Sequence, residues 1–345
     1  MPDSTADPRP DHAADAFDDP AGWTAERWGD VADRVHALVP PSPCVRMPDL
    51  EACFAGDIRL KLENLNRTGS FKIRGAVAKI TSLEPPERAA GVIACSSGNH
   101  GRAVAWVAGR LGVPATIFVP DWVDPVKLAG MRADGADVRL AGPTYDDAAD
   151  AAHAEVARTG RPFVHPFDDA MVAAGQGTIG LEILESVPDV ERVVVCLSGG
   201  GLAGGIAAAL GAHGSDAEVV AVSAERARVM FESIRAGRPL ELEEEPTIAN
   251  ALSGGIELEN RVTFELVRRH VDRHLVVPEE AIERAMAVAM RHLHMVVEGG
   301  GAVGLAALLE GMLPADDRDG PTVIVVSGGN VDAARLVELA TAPSD

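Results

Sequence analysis

Lysine is scarce in this chain of 345 residues: only four of the 31 basic residues are lysine, at positions 61, 72, 79 and 127. Aromatic residues make up only 4%, against 47% hydrophobic residues overall, so the core has to be built mostly from Ala, Val, Leu and Ile. No apolar run reaches the roughly 18 residues that a membrane-crossing helix needs, and the N-terminus lacks the basic-then-apolar pattern of a secretory signal. The expectation is a soluble cytoplasmic protein with no membrane partner. Cysteine is sparse and scattered, at Cys44, Cys53, Cys95 and Cys196, without a Cys-x-x-Cys pair or histidines at zinc-ligand spacing. Such thiols behave as small buried hydrophobes in a reducing compartment. Positive charge is also short: the net charge of -21 argues against a nucleic-acid partner, because phosphate backbones are bound by fields of Lys and Arg.

What is present is an alternation of short β-branched runs with Ala-rich amphipathic stretches, on a chain long enough for two subdomains around a cleft. Residues 1–30 are rich in Asp, Ala and Pro and read as a disordered acidic leader, with a short helix near Trp23–Trp28. Beyond it, strands are expected at 91–95, 115–119, 137–140, 192–196, 218–222 and 322–326, and helices at 102–111 and 125–132. Strands alternating with helices imply parallel sheets covered on both faces, and such sheets bind ligands beyond the carboxyl ends of their strands. Three polar or glycine-rich segments fall at those ends: Ser96-Ser97-Gly98-Asn99-His100, Ser198-Gly199-Gly200-Gly201-Leu202 and Ser327-Gly328-Gly329-Asn330.

Each segment has its own chemistry. In the second, glycines let the backbone approach an anion and the following helix offers its positive end, which makes Ser198, Gly199, Gly200, Gly201 and Leu202 a phosphate cradle. Gly199, Gly201 and Gly204 also satisfy G-x-G-x-x-G, and Glu225 follows about 20 residues later, so an NAD-dependent oxidoreductase stays open on these residues alone. The first segment gathers two hydroxyls, an amide and an imidazole at a helix start, suited to a carboxylate as well as to capping. Upstream, Thr68-Gly69-Ser70-Phe71-Lys72-Ile73-Arg74-Gly75-Ala76 places a lysine between a Gly-Ser turn, an aromatic ring and a helical run. A lysine there suits Schiff-base chemistry, since an ammonium loses its proton on desolvation and a guanidinium does not.

That lysine segment and the three loops, taken with His165-Pro166-Phe167-Asp168-Asp169 and Gly175-Gln176-Gly177-Thr178, closely resemble the threonine dehydratase and serine racemase family of fold type II pyridoxal-phosphate enzymes. The resemblance implies an α/β fold, tryptophan synthase β-like, of two parallel-sheet subdomains with pyridoxal 5'-phosphate in the cleft between them. It implies a large cofactor-binding domain from residues 31–90 and 168–345, and a small substrate-binding domain from 91–167. By the same resemblance Lys72 carries the cofactor, Phe71 packs on its ring, Ser198–Leu202 hold its phosphate, Asn99 touches its ring hydroxyl and Ser327 bonds its pyridine nitrogen. Ser96, Ser97, Asn99 and His100 grip the substrate carboxylate, and Ser97 faces the substrate carbon opposite the lysine. A neutral hydroxyl at Ser327 leaves the pyridine nitrogen largely unprotonated, and the weaker electron sink favours elimination over transamination.

The expected activity is therefore a lyase that removes water from a small β-hydroxy amino acid, giving a 2-oxo acid and ammonia, in a homodimer or homotetramer. A racemase would use the same residues with Ser97 as second acid–base group. Departures from the family carry finer expectations. Ser223-Ala224 stands where many relatives have a cation-binding Glu-Pro and Val229 where they have a second acidic ligand, so no metal is expected there. Ala251-Leu252, Ser223 and Glu298-Gly299-Gly300 together look more like the hydroxyectoine-utilisation dehydratases, which extends the substrate class to a hydroxylated diaminobutyrate. His165–Asp169 and Gly175–Glu182 read as framework.

Overall fold

The β-branched runs become the strands of two sheets in the computed structural model, which describes residues 19–51, 56–313 and 320–341. The larger sheet has the order β1-β2-β9-β6-β7-β8 and the smaller the order β3-β4-β5. The small sheet comprises β3 (Val92–Cys95), β4 (Ala115–Val119) and β5 (Asp137–Leu140), all parallel. At the centre of the large sheet lie β9 (Thr322–Val326) and β6 (Arg192–Cys196), paired in parallel with Val193 opposite Val323. Both strands are buried along their whole length, which is why valine and isoleucine fill their middles, and the one charge, Arg192 at the start of β6, is paired with Glu218. Next to β6 lies β7 (Glu218–Ala224), also parallel and two residues longer than its sequence pattern suggested.

Three strands were not expected. β1 (Cys44–Arg46) runs antiparallel to β2 (Ile58–Leu62), and β2 pairs in parallel with β9; β8 (Arg273–Val277) extends the other side of the sheet beside β7. Lys61 of β2 is 1% exposed and is neutralised inside the protein. Its Nζ meets Glu182 Oε2 at 2.5 Å and Ser42 O at 2.7 Å. Arg74 completes the network, with Nε and Nη2 on Glu63 at 2.7 and 2.9 Å and Nη1 on Glu182 Oε1 at 2.5 Å. Burial works against the charges, but Arg74 and Lys61 outweigh it and hold the Glu182 carboxyl down at about 2. This network fastens the helix Lys72–Ser82 to β2 and to the helix Ala170–Ser186.

The leader expectation needs correction. Residues 1–18 lie outside the described residues, but from Pro20 the chain is folded, and a helix runs over Ala25–His36, capped by Thr24. Trp28 is fully buried against Gly177, where a Cβ would come within 2.7 Å of its ring, and its Nε1 donates to Pro20 O at 3.0 Å. Two tryptophans with one buried face outweigh the acidic composition around them. Cys53 also lies outside the described residues; Cys44, Cys95 and Cys196 are free thiols. Among the described residues no helix is long and apolar enough to cross a membrane. The three loops named from the sequence all leave the carboxyl ends of their strands: β3, β6 and β9.

Candidate active site

The lysine segment is zipped to the loop after β9. Phe71 N donates to Ser327 O at 3.0 Å and Gly329 N to Gly69 O at 2.9 Å. Gly69 has φ +74 and no room for a side chain, since a Cβ would lie 2.3 Å from Asn330 Oδ1. Lys72 then opens its helix, with its amine 5.1 Å from the centre of the Phe71 ring and 2.8 Å from Pro166 O, to which it donates. Lys72 keeps a partly open surface, yet protein packs round the amine closely enough that desolvation lowers its pKa to about 8, against the pull of Glu298.

The loop after β6 has the geometry of an anion cradle. Gly200 adopts φ +85, and a Cβ on Gly199 would lie 2.3 Å from the Phe167 ring. The helix Gly201–Ala212 follows at once; Gly204 N donates to Gly200 O at 2.8 Å, and the amides ahead of it are the free N-terminal donors of that helix. Ser198 Oγ donates to Leu252 O at 2.8 Å and fixes the loop from behind. Leu202 is buried at the first turn.

The loop after β3 opens the helix Asn99–Leu111. Ser96 Oγ accepts from Gly98 N at 3.2 Å, and Ser97 is half-buried with no side-chain hydrogen bond to a described residue. Asn99 bonds Glu298 and Asn330, both at 2.7 Å. The His100 ring departs from its expected place: it is buried, with Nε2 donating to Val164 O at 2.8 Å, and burial, helped by the charge of Lys72, lowers its pKa to about 3. A neutral ring committed to the framework leaves His100 only its backbone N–H at the helix end to offer a ligand.

Ser327 is buried, 3% exposed, with Oγ 3.4 Å from Gly300 O and in hydrogen-bond contact with the Cys196 thiol. Burial pushes that thiol up to about 11, so it stays protonated beside Lys72. Sequence reasoning missed Cys196 and Glu298. Glu298 is buried ahead of the helix Gly299–Leu309, and burial raises its carboxyl to about 7 despite Asn99, Lys127 and Lys72. Its signal was an acidic residue directly before three glycines at a helix start.

The segment expected to be mere framework is part of the site. Pro166 supplies the acceptor for Lys72, the Phe167 ring fills the space under Gly199, and Asp168 accepts from the backbone N–H of Arg261, Val262 and Thr263. Glu225, the acidic residue of the dinucleotide pattern, instead accepts from Glu279 N at 3.2 Å. Ser223 Oγ donates to Leu197 O at 3.1 Å, and Val229 begins a helix.

Residues 35–328 match the family model described as pyridoxal-phosphate dependent enzyme. The chain belongs to this family. Its cofactor is pyridoxal phosphate, which sets aside the dinucleotide reading of Gly199, Gly201 and Gly204. Among relatives of this pyridoxal-phosphate-dependent enzyme, the L-threonine ammonia-lyase of Thermotoga maritima is 44% identical over 277 residues, covering 80% of this chain and 68% of the relative. The catabolic L-threonine dehydratase of Escherichia coli is 38% identical over 284 residues, covering 82% and 86%. The structure of maize serine racemase superposes with a TM-score of 0.85 at 31% identity, covering 91% of this chain and 97% of that one. The residues present fit the cofactor. A glycine cradle that a Cβ would fill faces a helix end, as a phosphate needs, and Lys72, its pKa lowered by burial, offers an amine to an aldehyde.

Proposed function

We propose that this enzyme is an ammonia-lyase that removes water from a small β-hydroxy amino acid, threonine or serine, giving a 2-oxo acid and ammonia. The observation that carries the reading is the Lys72 amine, poised on Pro166 O with its pKa near 8. When bound, pyridoxal phosphate supplies the aldehyde that links to an amine and the ring that accepts the electron pair left by a departing α-proton. Lys72 holds it at rest, with Phe71 beside the amine, and the amides of Gly199, Gly200, Gly201 and Leu202 with the Ser198 turn receive its phosphate. Ser327 would offer its ring nitrogen a neutral hydroxyl, in a wall shared with the protonated Cys196 thiol.

Once substrate amine has displaced it, Lys72 Nζ is the base for the α-proton. At pH 7 about one-tenth of an amine of this pKa is neutral, against about one in three thousand for an ordinary lysine. Pro166 O keeps that amine in place without protonating it. The hydroxyls of Ser96 and Ser97, with the backbone N–H of Asn99 and His100 at their helix end, bind the substrate carboxylate. The β-hydroxyl leaves as water, and hydrolysis of the released enamine consumes one water and frees ammonia. The small sheet carries the carboxylate loop and the large sheet the phosphate and ring loops, which supports assigning substrate to the domain at 91–167 and cofactor to the rest.

One wall is altered as a unit. An ideal Cβ on Gly300 would lie 3.2 Å from Leu252 Cγ and 3.4 Å from Ala251 Cβ, so two of the departures from the family, Gly300 and Ala251-Leu252, pack against each other. This supports including a hydroxyectoine-derived hydroxy-diaminobutyrate among the substrates tried. The test is a panel of β-hydroxy amino acids assayed for 2-oxo acid, ammonia and D-amino acid. Equimolar 2-oxo acid and ammonia from one member supports the lyase; D-amino acid alone would replace it with the racemase.

A further inference from the structure

Asn99 is gripped at both ends of its side chain. Its Nδ2 donates to Glu298 Oε1 and its Oδ1 accepts from Asn330 Nδ2, each at 2.7 Å. Asn330 Nδ2 donates a second time, to Thr68 O at 2.9 Å. The order of donors in this chain is set from its ends. A backbone carbonyl can only accept, so Asn330 must turn its nitrogen toward Thr68, and that nitrogen spends both its N–H groups on Thr68 and Asn99. The Asn99 oxygen therefore faces Asn330, and its nitrogen faces Glu298. An amide nitrogen carries two N–H groups and Glu298 takes one. The other has no hydrogen-bond partner among the described residues.

The chain joins three parts of the site. Thr68 belongs to the lysine segment, Asn330 to the loop after β9, and Asn99 to the helix start after β3. Glu298 is buried and makes no ion pair with a described residue, so its contact with Asn99 is not one arm of a salt bridge. We infer that Glu298 and Asn330 are positioning residues for the cofactor: together they fix the rotation of the Asn99 amide and keep one of its N–H groups for the ring oxygen of pyridoxal phosphate. The inference rests on the family's placement of Asn99 beside that oxygen, and not on the choice of substrate. An N–H held against that oxygen favours its ionised form, which sets both the absorbance of the bound cofactor and its retention. Since burial raises the Glu298 carboxyl to about 7, its role as acceptor does not depend on a permanent charge.

The test is the visible spectrum of the holoenzyme and the rate at which it releases pyridoxal phosphate on dilution, both without substrate. Glu298→Gln keeps an acceptor for Asn99 and should keep the wild-type absorbance maximum, with release within about twofold of wild type. Glu298→Ala frees the amide to rotate and should shift the maximum and speed release about tenfold. Asn330→Asp, close to isosteric, replaces the N–H that the Asn99 oxygen accepts with a carboxylate oxygen that repels it, so the amide loses that hold and the variant should give the same shift. Wild-type spectra and release in both Glu298→Ala and Asn330→Asp would overturn the inference, as would a Glu298→Gln spectrum displaced as far as that of Glu298→Ala. Because no substrate is used, a failed elimination assay would overturn the lyase reading alone.

Discussion

Lys72 Nζ donates to the carbonyl of Pro166 at 2.8 Å. The acceptor is held still by its neighbours: His165 Nδ1 accepts from Phe167 N and Asp168 N at 3.2 and 2.7 Å, and His165 Nε2 meets Glu257 Oε1 at 2.9 Å. Phe167 then packs its ring under Gly199. One short segment thus touches both the amine and the glycine loop, the two places at which we propose that the cofactor is held.

Burying the Lys72 amine costs stability in the cofactor-free protein, and the cost depends on pH. Burial lowers its pKa from 10.5 to about 8. Below pH 8 both folded and unfolded chains carry the proton, so the penalty is fully present; between 8 and 10.5 the unfolded chain holds more protons and stability rises with pH. Lys72→Met should therefore stabilise the cofactor-free protein by up to about 3 kcal/mol at neutral pH, and the difference should close above about pH 10. Urea unfolding at both pH values measures it; equal stability of the two proteins throughout would mean that the amine is well solvated.

Gly200 should tolerate no side chain. Its φ is +85, and a Cβ would lie 2.9 Å from both Met230 Cε and Val267 Cγ2. Gly200→Ala should weaken pyridoxal-phosphate binding about tenfold or more, since a shift of an ångström in the loop turns its amides from the phosphate. Gly211→Ala, near the far end of the same helix and in open space, should leave binding unchanged and add up to about 1 kcal/mol of stability. Both are read by cofactor titration and thermal melting, and equal cofactor affinity in the two variants would contradict the cradle.

Much of this was legible in the sequence because parallel strands covered on both faces exclude charge. Val193-Val194-Val195 and Val323-Ile324-Val325-Val326 announce β6 and β9 for that reason. β2 was not legible: Ile58-Arg59-Leu60-Lys61-Leu62 carries a lysine that is buried only because Glu182, 121 residues away, neutralises it. No local pattern contains that partner. The same holds for Asp168, whose carboxylate receives the N–H groups at 261–263 from across the fold. The glycine and serine loops could be placed at strand ends because the pattern that marks them is local, whereas the contact of Glu298 with Asn99 exists only in the folded chain. The His100 ring misled because an imidazole at a helix start looks ligand-facing until its bond to Val164 O is seen. Of the segment read as a leader only its end is described, and there the short helix expected near Trp23–Trp28 is longer, because Trp23 and Trp28 are buried despite the charge around them.

Divalent cations should have little effect. By the family resemblance Ser223 and Val229 stand in place of acidic ligands; Ser223 Oγ is spent on Leu197 O, and Glu225 is spent on Glu279 N. A hard cation needs several oxygen ligands and finds few there. Activity and melting temperature should be the same in EDTA and in millimolar Mg²⁺ at matched ionic strength, a control that a chain of charge -21 requires. A rise with Mg²⁺ that NaCl does not reproduce would contradict this.

The central claim is that Lys72 carries the cofactor, and the other three lysines supply the control. Lys61 is locked on Glu182 and Ser42, Lys79 pairs with Asp169, and Lys127 lies on a helix of the small-sheet side. Only Lys72 combines the lowered pKa with a place beside the glycine cradle. Borohydride reduction of the holoenzyme followed by peptide mapping is the most direct measurement. The account predicts a single pyridoxyl label on Lys72, absent from Lys72→Ala; a label on Lys61, Lys79 or Lys127 in its place would contradict it.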